Sequence, residues 1–238
     1  MPTLQQLVDA HSRIAFFGGA GVSTESGIPD FRSANGLYRQ KRAIPAEELL
    51  SHAFFEAHPE EFFAFYRESI LRPALAAKPN PAHVALARLE AAGKLTGVVT
   101  QNIDGLHQAA GGRKVFELHG SIHRNFCLRC GTRYDAAFLD AAQGVPRCTC
   151  GGRVRPEVVL YGEALDEATV RGALHALESA DLLLVGGTSL SVYPAASFLD
   201  AFHGDALVLI NRDPTPRDQE ATLLLREPIG QALGSLRI

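Results

Sequence analysis

The stretch Arg13–Gly27, RIAFFGGAGVSTESG, decides the fold. Its first part, RIAFF, is short, apolar and aromatic, and it reads as a buried strand. The strand runs straight into Gly18, Gly19 and Gly21. Glycines let backbone approach a diphosphate, and a following helix would aim its N–H groups at it. The dinucleotide fingerprint of dehydrogenases is incomplete here. Thr24 stands where a third glycine is wanted, and the region about 20 residues on reads YRQKR, with no acidic partner for a ribose. The turn therefore marks either a nucleotide site of another kind or a tight structural turn.

Outward from this turn, short apolar strands alternate with helices. Leu4, Leu7, Val8 and His11 keep helical spacing ahead of the first strand. NPAHVALARLEAAGK is a punctuated helix, with Asn80 to cap it, Pro81 in its first turn and Gly93 at its end. LTGVVT, KVFEL, EVVLYG, DLLLVGG and ALVLIN read as strands. DEATVRGALHALESA reads as a helix capped by Asp166, and PAASFLDAF as one begun by Pro194. The predicted fold class is α/β: a Rossmann-like parallel sheet with helices on both faces. The alternation breaks twice, and each break reads as an insertion. Residues 33–75 form a helical insertion, with Phe62, Phe65, Tyr66, Ser69 and Ile70 on one face of PEEFFAFYRESIL. Residues 121–155 are rich in Cys, Gly and Arg and poor in periodicity. Residues 1–32, 76–120 and 156–238 are left for the sheet domain.

Bulk properties exclude several classes. The 238 residues suffice for a full core without disulfides. A net charge of −3 gives no global basic field for nucleic acid. The N-terminus lacks a basic and then apolar secretory pattern, and no apolar run reaches the roughly 18 residues that span a bilayer. The expectation is a cytoplasmic protein, without membrane contact, whose thiols stay reduced.

All four cysteines lie in the second insertion, as Cys127-x2-Cys130 and Cys148-x-Cys150, with 17 residues between the pairs. Two close pairs at this distance read as a zinc ribbon, and four thiolates would close a tetrahedral, structural shell. His119 lies just before them, at the end of the strand VFEL and ahead of a glycine. It can be read as a further metal ligand, as a general base, since its pKa would lie near 6.5, or as a structural histidine. Asn211 ends the strand ALVLIN, and Thr188 and Ser189 follow Gly187 beyond DLLLV. Polar groups at the carboxyl ends of parallel strands sit where ligands bind. Asn211 could equally be a turn residue.

Seven motifs occur in order: GAGVSTESGIPDFRS (Gly19–Ser33), TQNIDGLH (Thr100–His107), ELHGS (Glu117–Ser121), the paired cysteines, RPEVVLYGE (Arg155–Glu163), GTSLSVYPA (Gly187–Ala195) and LIN (Leu209–Asn211). Together they resemble the sirtuin family of NAD-dependent protein deacylases, of bacterial type, over essentially the whole chain. The resemblance implies an NAD-binding sheet domain, a structural zinc ion on Cys127, Cys130, Cys148 and Cys150, and acyl-lysine proteins or peptides as partners. By motif position it implies Gly19, Ala20, Gly21, Thr24, Phe31 and Arg32 as cofactor-loop residues. Gln101, Asn102, Ile103 and Asp104 would form the ribose and nicotinamide pocket. Gly187, Thr188, Ser189, Asn211 and Ile229 would hold the rest of the cofactor. Val158, Val159, Tyr161 and Tyr66 would meet the substrate. His119 is implied as the catalytic base, with Asn102 and Asp104 beside it.

The implied reaction begins when the acyl oxygen attacks the nicotinamide ribose and nicotinamide leaves. His119 then helps deprotonate a ribose hydroxyl, and water finally releases lysine and O-acetyl-ADP-ribose. Two departures bear on substrate. Leu160-Tyr161 stands where many members carry two phenylalanines. Ser69 stands three residues after Tyr66, where the acid-acyl specialists carry arginine, so neutral acyl groups are expected over succinyl. Protein ADP-ribosyl transfer at the same site is the alternative activity, and a deacylase preferring longer neutral acyl groups is the other. A non-catalytic NAD sensor or zinc-ribbon nucleic-acid binder is disfavoured by His119, Asn102 and Asp104 occurring together.

Overall fold

The computed structural model describes residues 2–31, 33 and 36–238. Among them nine strands follow in chain order: β1 (Ile14–Gly18), β2 (Leu95–Thr100), β3 (Val115–Glu117), β4 (Gly120–Cys127), β5 (Arg133–Tyr134), β6 (Val154–Val158), β7 (Leu182–Gly186), β8 (Ala206–Ile210) and β9 (Leu223–Leu225). Six of them form one sheet, in the order β3-β2-β1-β7-β8-β9. Every pairing in it is parallel.

Strand alternation sorts the core onto two faces. Ile14 and Phe16 of β1 join Leu182, Leu184, Val208 and Ile210 on one side, against the helices Leu4–Ala10, Pro81–Ala91 and Ile229–Gly234. Ala15 and Phe17 join Val99, Leu183, Val185 and Leu209 on the other, against the helix Glu167–Glu178 and the turn Ala195–Ala201. Both faces are covered, which is why these strands read as continuous apolar runs. From β1 the chain moves through β2 to β3 on one side, and from β7 through β8 to β9 on the other, so the strand order reverses between β1 and β7. The crevice beyond the carboxyl ends of β1 and β7 is the place where open parallel sheets bind ligands.

The two insertions form one further body. Strands β4, β5 and β6 make a small antiparallel sheet with β4 in the middle. A single apolar cluster joins Leu49, Phe55, Phe62, Phe63 and Leu71 of the helical segment to Ile122, Leu139 and Val154 of the cysteine-bearing segment and to Leu160 just beyond it. Arg67 ties them as well, donating from Nε to the Leu139 carbonyl at 2.9 Å and from a terminal nitrogen to the Gly144 carbonyl.

Local differences from the expected elements have identifiable causes. No α-helix follows the glycine turn. Two 3-10 turns, Ala20–Val22 and Thr24–Ser26, stand there, and Gly27 ends them at a φ of 88°. The strand expected at EVVLYG is instead Val154–Val158. Beyond Val158 the backbone groups are taken elsewhere. Val159 N–H donates to His119 O, Leu160 N–H to the Glu163 carboxylate and Tyr161 N–H to Leu50 O. PAASFLDAF winds as a 3-10 helix over Ala195–Ala201. The helix from Pro59 passes through a π turn at Arg67–Leu71 before Arg72–Ala76. Strand β4 lies in the segment read as aperiodic.

Candidate active site

The glycine turn and the β7 loop pack backbone to backbone. Gly21 N–H donates to Gly187 O at 2.8 Å. A Cβ on Gly21 would sit 2.7 Å from Gly187 Cα, so nothing larger than glycine fits without displacing main chain. Thr24 Oγ1 donates back to Gly21 O at 2.9 Å, and Asn80 Nδ2 donates to Val22 O at 2.7 Å, bracing the loop from below. A cleft of about 370 Å³ opens beside it. Gly21, Thr24, Gly187, Asn211 and Ile229 line this cleft, together with Glu25, Asp30, Arg212, Asp213 and Glu227. Glu25 accepts from Gly230 N–H at 2.8 Å and so fixes the helix that brings Ile229 to the wall. Asn211 Nδ2 donates to Asp213 O at 2.8 Å, and Ser189 and Ser191 share a hydroxyl contact of 2.6 Å. Gly19 and Ala20 belong to the same turn. Phe31 is half-buried against the small body and packs on Tyr38, ring centres 5.3 Å apart. Arg32 lies outside the described residues.

The loop after β2 carries the second group. Gln101 N–H donates to Gly18 O at 2.9 Å, and its Nε2 donates to Thr188 Oγ1 at 3.1 Å, so the β2 and β7 loops meet over the end of β1. Ser23 Oγ donates to Asp104 Oδ2 at 2.6 Å and accepts from Asn102 Nδ2 at 3.0 Å. Leu106 N–H donates to the other Asp104 oxygen at 2.9 Å. Asp104 and Asn102 are thus buried in a hydrogen-bonded network, which is what buried polar groups require. Ile103 O accepts from Ile122 N–H at 3.0 Å, which couples this loop to β4.

His119 follows β3. Its Nδ1 lies 2.9 Å from the Gln101 carbonyl, which can only accept, so Nδ1 carries the proton and Nε2 presents a lone pair. Burial lowers its pKa below the ordinary histidine value, and the bond to Gln101 O opposes this in part. The outcome is a neutral imidazole fixed in the tautomer of a base. Val159 N–H donates to His119 O at 2.9 Å, and Gly120 pairs with Val158 across β4 and β6. Val159 is therefore bonded to the histidine itself, and Val158 is paired with the residue after it. Tyr161 follows with a partly exposed ring. Tyr66 lies within the core of the small body rather than on its open surface. It is 1% exposed and stacked on Phe62 at 5.7 Å, its hydroxyl without a partner among the described residues.

The four cysteine sulfurs lie within 4.8 Å of one another. Cys127–Cys150, Cys130–Cys148 and Cys130–Cys150 are 3.6, 3.6 and 3.4 Å apart, far beyond disulfide length. A tetrahedron of thiolates about 2.3 Å from zinc has sulfur–sulfur edges of about 3.8 Å, so the donor set fits the ion. The short Cys148-x-Cys150 pair delivers both of its sulfurs, because Gly151 turns at a φ of 84°. A Cβ on Gly152 would lie 2.7 Å from Cys127 Sγ, so the chain can pass only as glycine.

Several residues of the site carried no signal in the sequence. Ser23, the link between Asn102 and Asp104, is one. His123 is another, its Nε2–H donating to Asp104 O at 3.1 Å. Beneath the loop, His83 and His107 pack ring to ring at 4.7 Å, both buried. Such partnerships join residues far apart in the chain and leave no local pattern.

The Sir2 family model matches residues 19–194. The NAD-dependent protein deacetylase of Clostridium perfringens (strain 13 / Type A) is 55% identical over 237 residues, covering 98% of this chain and 96% of that one. The NAD-dependent protein deacetylase of Cutibacterium acnes is 52% identical over 236 residues, covering 98% and 96%. Among solved structures, a Sir2 with a p53 peptide and NAD+ superposes with a TM-score of 0.82 at 40% identity, covering 95% of this chain and 92% of that one. Sir2Tm bound to a propionylated peptide gives a TM-score of 0.83 at 39% identity, covering 95% and 92%. With a family match over well over half of its length and relatives this similar across nearly all of it, the chain belongs to the Sir2 family.

Proposed function

We propose that the chain is an NAD-dependent protein lysine deacetylase, releasing nicotinamide, O-acetyl-ADP-ribose and free lysine. The observation that carries this is His119, a neutral base with Nδ1–H pinned to Gln101 O and Nε2 open, bonded through its own carbonyl to Val159. In this reading the cleft along Gly21, Thr24, Gly187, Asn211 and Ile229 takes the adenosine side of NAD. Gly19, Ala20, Phe31, Arg32, Thr188 and Ser189 complete the cofactor contacts. Gln101, Asn102, Ile103 and Asp104 surround the nicotinamide ribose. Bound NAD supplies an electrophilic ribose carbon and a leaving nicotinamide. Asp104 and Asn102, held by Ser23, orient that end of the dinucleotide. His119 Nε2 takes a proton from a ribose hydroxyl. Phe31 shields the reacting centre from water.

Val158, Val159 and Tyr161 would receive the acyl-lysine segment, with Tyr66 deeper in the small body. Ser69 in place of a cation favours neutral acyl groups. The cysteine-bearing residues 121–155 hold a structural zinc, the helical residues 33–75 pack on them, and the remaining segments form the NAD-binding domain. Four clustered free thiols suit a reducing cytoplasm. Among the described residues no helix is long and apolar enough to cross a membrane.

The test is turnover on an acyl-lysine peptide panel, with product masses and zinc measured together. Free O-acetyl-ADP-ribose is expected, whereas ADP-ribose left on protein would favour the transferase reading. His119→Ala should abolish deacylation and keep zinc at wild-type stoichiometry. Retained turnover in that variant would remove His119 as the base.

A further inference from the structure

Arg226 follows β9 directly, as Asn211 follows β8. The two strands run in register, Ile210 against Leu225, and Asn211 N–H donates to Leu225 O at 3.0 Å. Arg226 is not among the residues lining the large cleft, but its guanidinium reaches the backbone of two that are, Asn211 and Asp213. Its Nη1 donates to Asn211 O at 2.9 Å and to Asp213 O at 2.7 Å, while Nη2 pairs with the Asp218 carboxylate. Thr215 fixes that carboxylate in turn, its N–H and hydroxyl donating to the other oxygen at 3.1 and 2.8 Å. Residues 211–217 carry no helix or strand, so this loop is folded around one guanidinium. The consequence falls on the Asn211 side chain. Asp213 O can only accept, so the group facing it at 2.8 Å is Nδ2. Arg226 holds that same carbonyl in place. The amide is thereby oriented: Nδ2 is spent on the loop, and Oδ1 has no partner among the described residues. A surface ion pair would need only Asp218, yet two of the three bonds go to carbonyls of the cleft wall.

We infer that Arg226 is a positioning residue for the adenosine side of the dinucleotide, fixing the Asn211 amide so that its oxygen is presented to a ribose hydroxyl. The inference rests on the deacetylase reading above, which puts that half of NAD in this cleft. Without the guanidinium both carbonyls lose a charged donor, and the ligand itself must order the loop. Ordering one residue costs roughly a factor of 10 in affinity. The chemical step is spared, because the nicotinamide end is held separately by Asn102 and Asp104 through Ser23. Arg226 therefore acts on how tightly the dinucleotide is held, through Asn211, and touches no reacting atom.

The experiment measures ADP-ribose affinity by calorimetry on the zinc-loaded full chain, comparing the wild type with Arg226→Met, Asp218→Asn and the double variant. Analogues lacking the 2′- or the 3′-hydroxyl of the adenosine ribose are titrated in parallel, and steady-state KM, kcat and nicotinamide inhibition at saturating NAD are taken on the same proteins. Arg226→Met should weaken ADP-ribose about 10-fold and raise the NAD KM to match, with kcat and nicotinamide inhibition little changed. The wild type should prefer ADP-ribose to at least one deoxy analogue, and Arg226→Met should lose most of that preference. Asp218→Asn, which leaves Arg226 in the chain but releases its anchor, should show both changes to a lesser degree, and it carries the test if Arg226→Met does not fold. The double variant should lose no more than Arg226→Met alone. Unchanged affinity, a hydroxyl preference kept at the wild-type level, or a kcat that falls together with affinity overturns the assignment. A wild-type chain that neither binds ADP-ribose nor deacylates with NAD overturns the functional reading and the assignment with it, whereas wild-type turnover with an unaffected Arg226→Met overturns the assignment alone.

Discussion

Acid should destabilise this protein through two buried imidazoles, His83 and His107. Both are essentially removed from solvent, and their rings face each other at 4.7 Å. His83 Nδ1 accepts from Asn80 N–H at 3.2 Å, so its proton sits on Nε2, which has no partner among the described residues. Neither nitrogen of His107 has one among them. Burial pulls His83 down to about 4, against an upward pull from Asp104. Burial, and then the neighbouring His83, pull His107 down to about 3. In the unfolded chain each titrates near 6.5. Above that pH neither state binds these protons and stability is unaffected. Below it the unfolded chain is protonated while the folded one is not, so stability falls as pH drops from about 6.5 towards the folded values. At about 1.4 kcal/mol per pH unit, each histidine removes about 2 kcal/mol by pH 5, and the pair about 4 kcal/mol. Total stabilities are typically about 5–15 kcal/mol, so this is a large share. Urea unfolding at pH 7.5 and 5.0 measures it, comparing the wild type with His83→Gln/His107→Gln. Zinc release at low pH is common to both, so the difference between them isolates the pair. The wild type should lose about 4 kcal/mol more than the variant. Equal losses would refute the argument. So would ring-proton NMR resonances of these histidines titrating between pH 6 and 7 in the folded protein, a measurement that stands even if the variant folds poorly.

Three further outcomes follow from the packing. Gly21→Ala forces main chain apart at Gly187, where the new methyl would lie 2.7 Å from Cα. At about 1–3 kcal/mol for such overpacking, NAD affinity measured by calorimetry should fall roughly 5- to 150-fold. Cys148→Ser should abolish stoichiometric zinc, and limited proteolysis should then cut in both 121–155 and 33–75, because the two share one core. Protection of 33–75 in that variant would argue against a common body. For Glu163, burial pushes the carboxyl up, but Arg155, the Leu160 N–H and His52 outweigh it and hold it at about 2. The contact it makes is therefore complete above about pH 4.5 and lost only as pH falls towards 2. Glu163→Gln should raise the peptide KM about 10-fold across neutral pH and leave the NAD KM near its wild-type value, as steady-state kinetics would show.

The sheet was legible because its strands are buried on both faces. Runs such as IAFFG and LLLVG have no other reading between glycine-rich turns. The cysteines were legible because their spacing is a property of the local chain. The limits of the sequence lie where tertiary contacts override local preference. EVVLYG is β-branched and aromatic, yet its second half is turned by Glu163, Leu50 and His52, all of them distant or non-strand partners. The edge strand β9 and the helix Ile229–Gly234, only three and six residues long, are too short to show a period in the sequence. The union of the two insertions rests on contacts such as Arg67 to Leu139, which no periodicity encodes. At the site, residue types and motif order named His119, Asn102 and Asp104. The bonds that hold them, through Ser23, His123 and the Gln101 carbonyl, became visible only in three dimensions.

The shared core of residues 33–75 and 121–155 restricts how this enzyme can be recombined. A chimera exchanging only the cysteine-bearing segment with a relative would inherit half of a packed interior, with Ile122, Leu139 and Val154 facing foreign neighbours in place of Phe55, Phe62 and Leu71. An exchange of both segments keeps most of that interior native, leaves Val158 and Leu160 of the sheet domain to be matched to it, and creates four chain crossings. The natural unit of transplantation is thus discontinuous in sequence, and any swap of acyl-group preference between relatives should carry the turn Val158–Tyr161 along with that pair of segments.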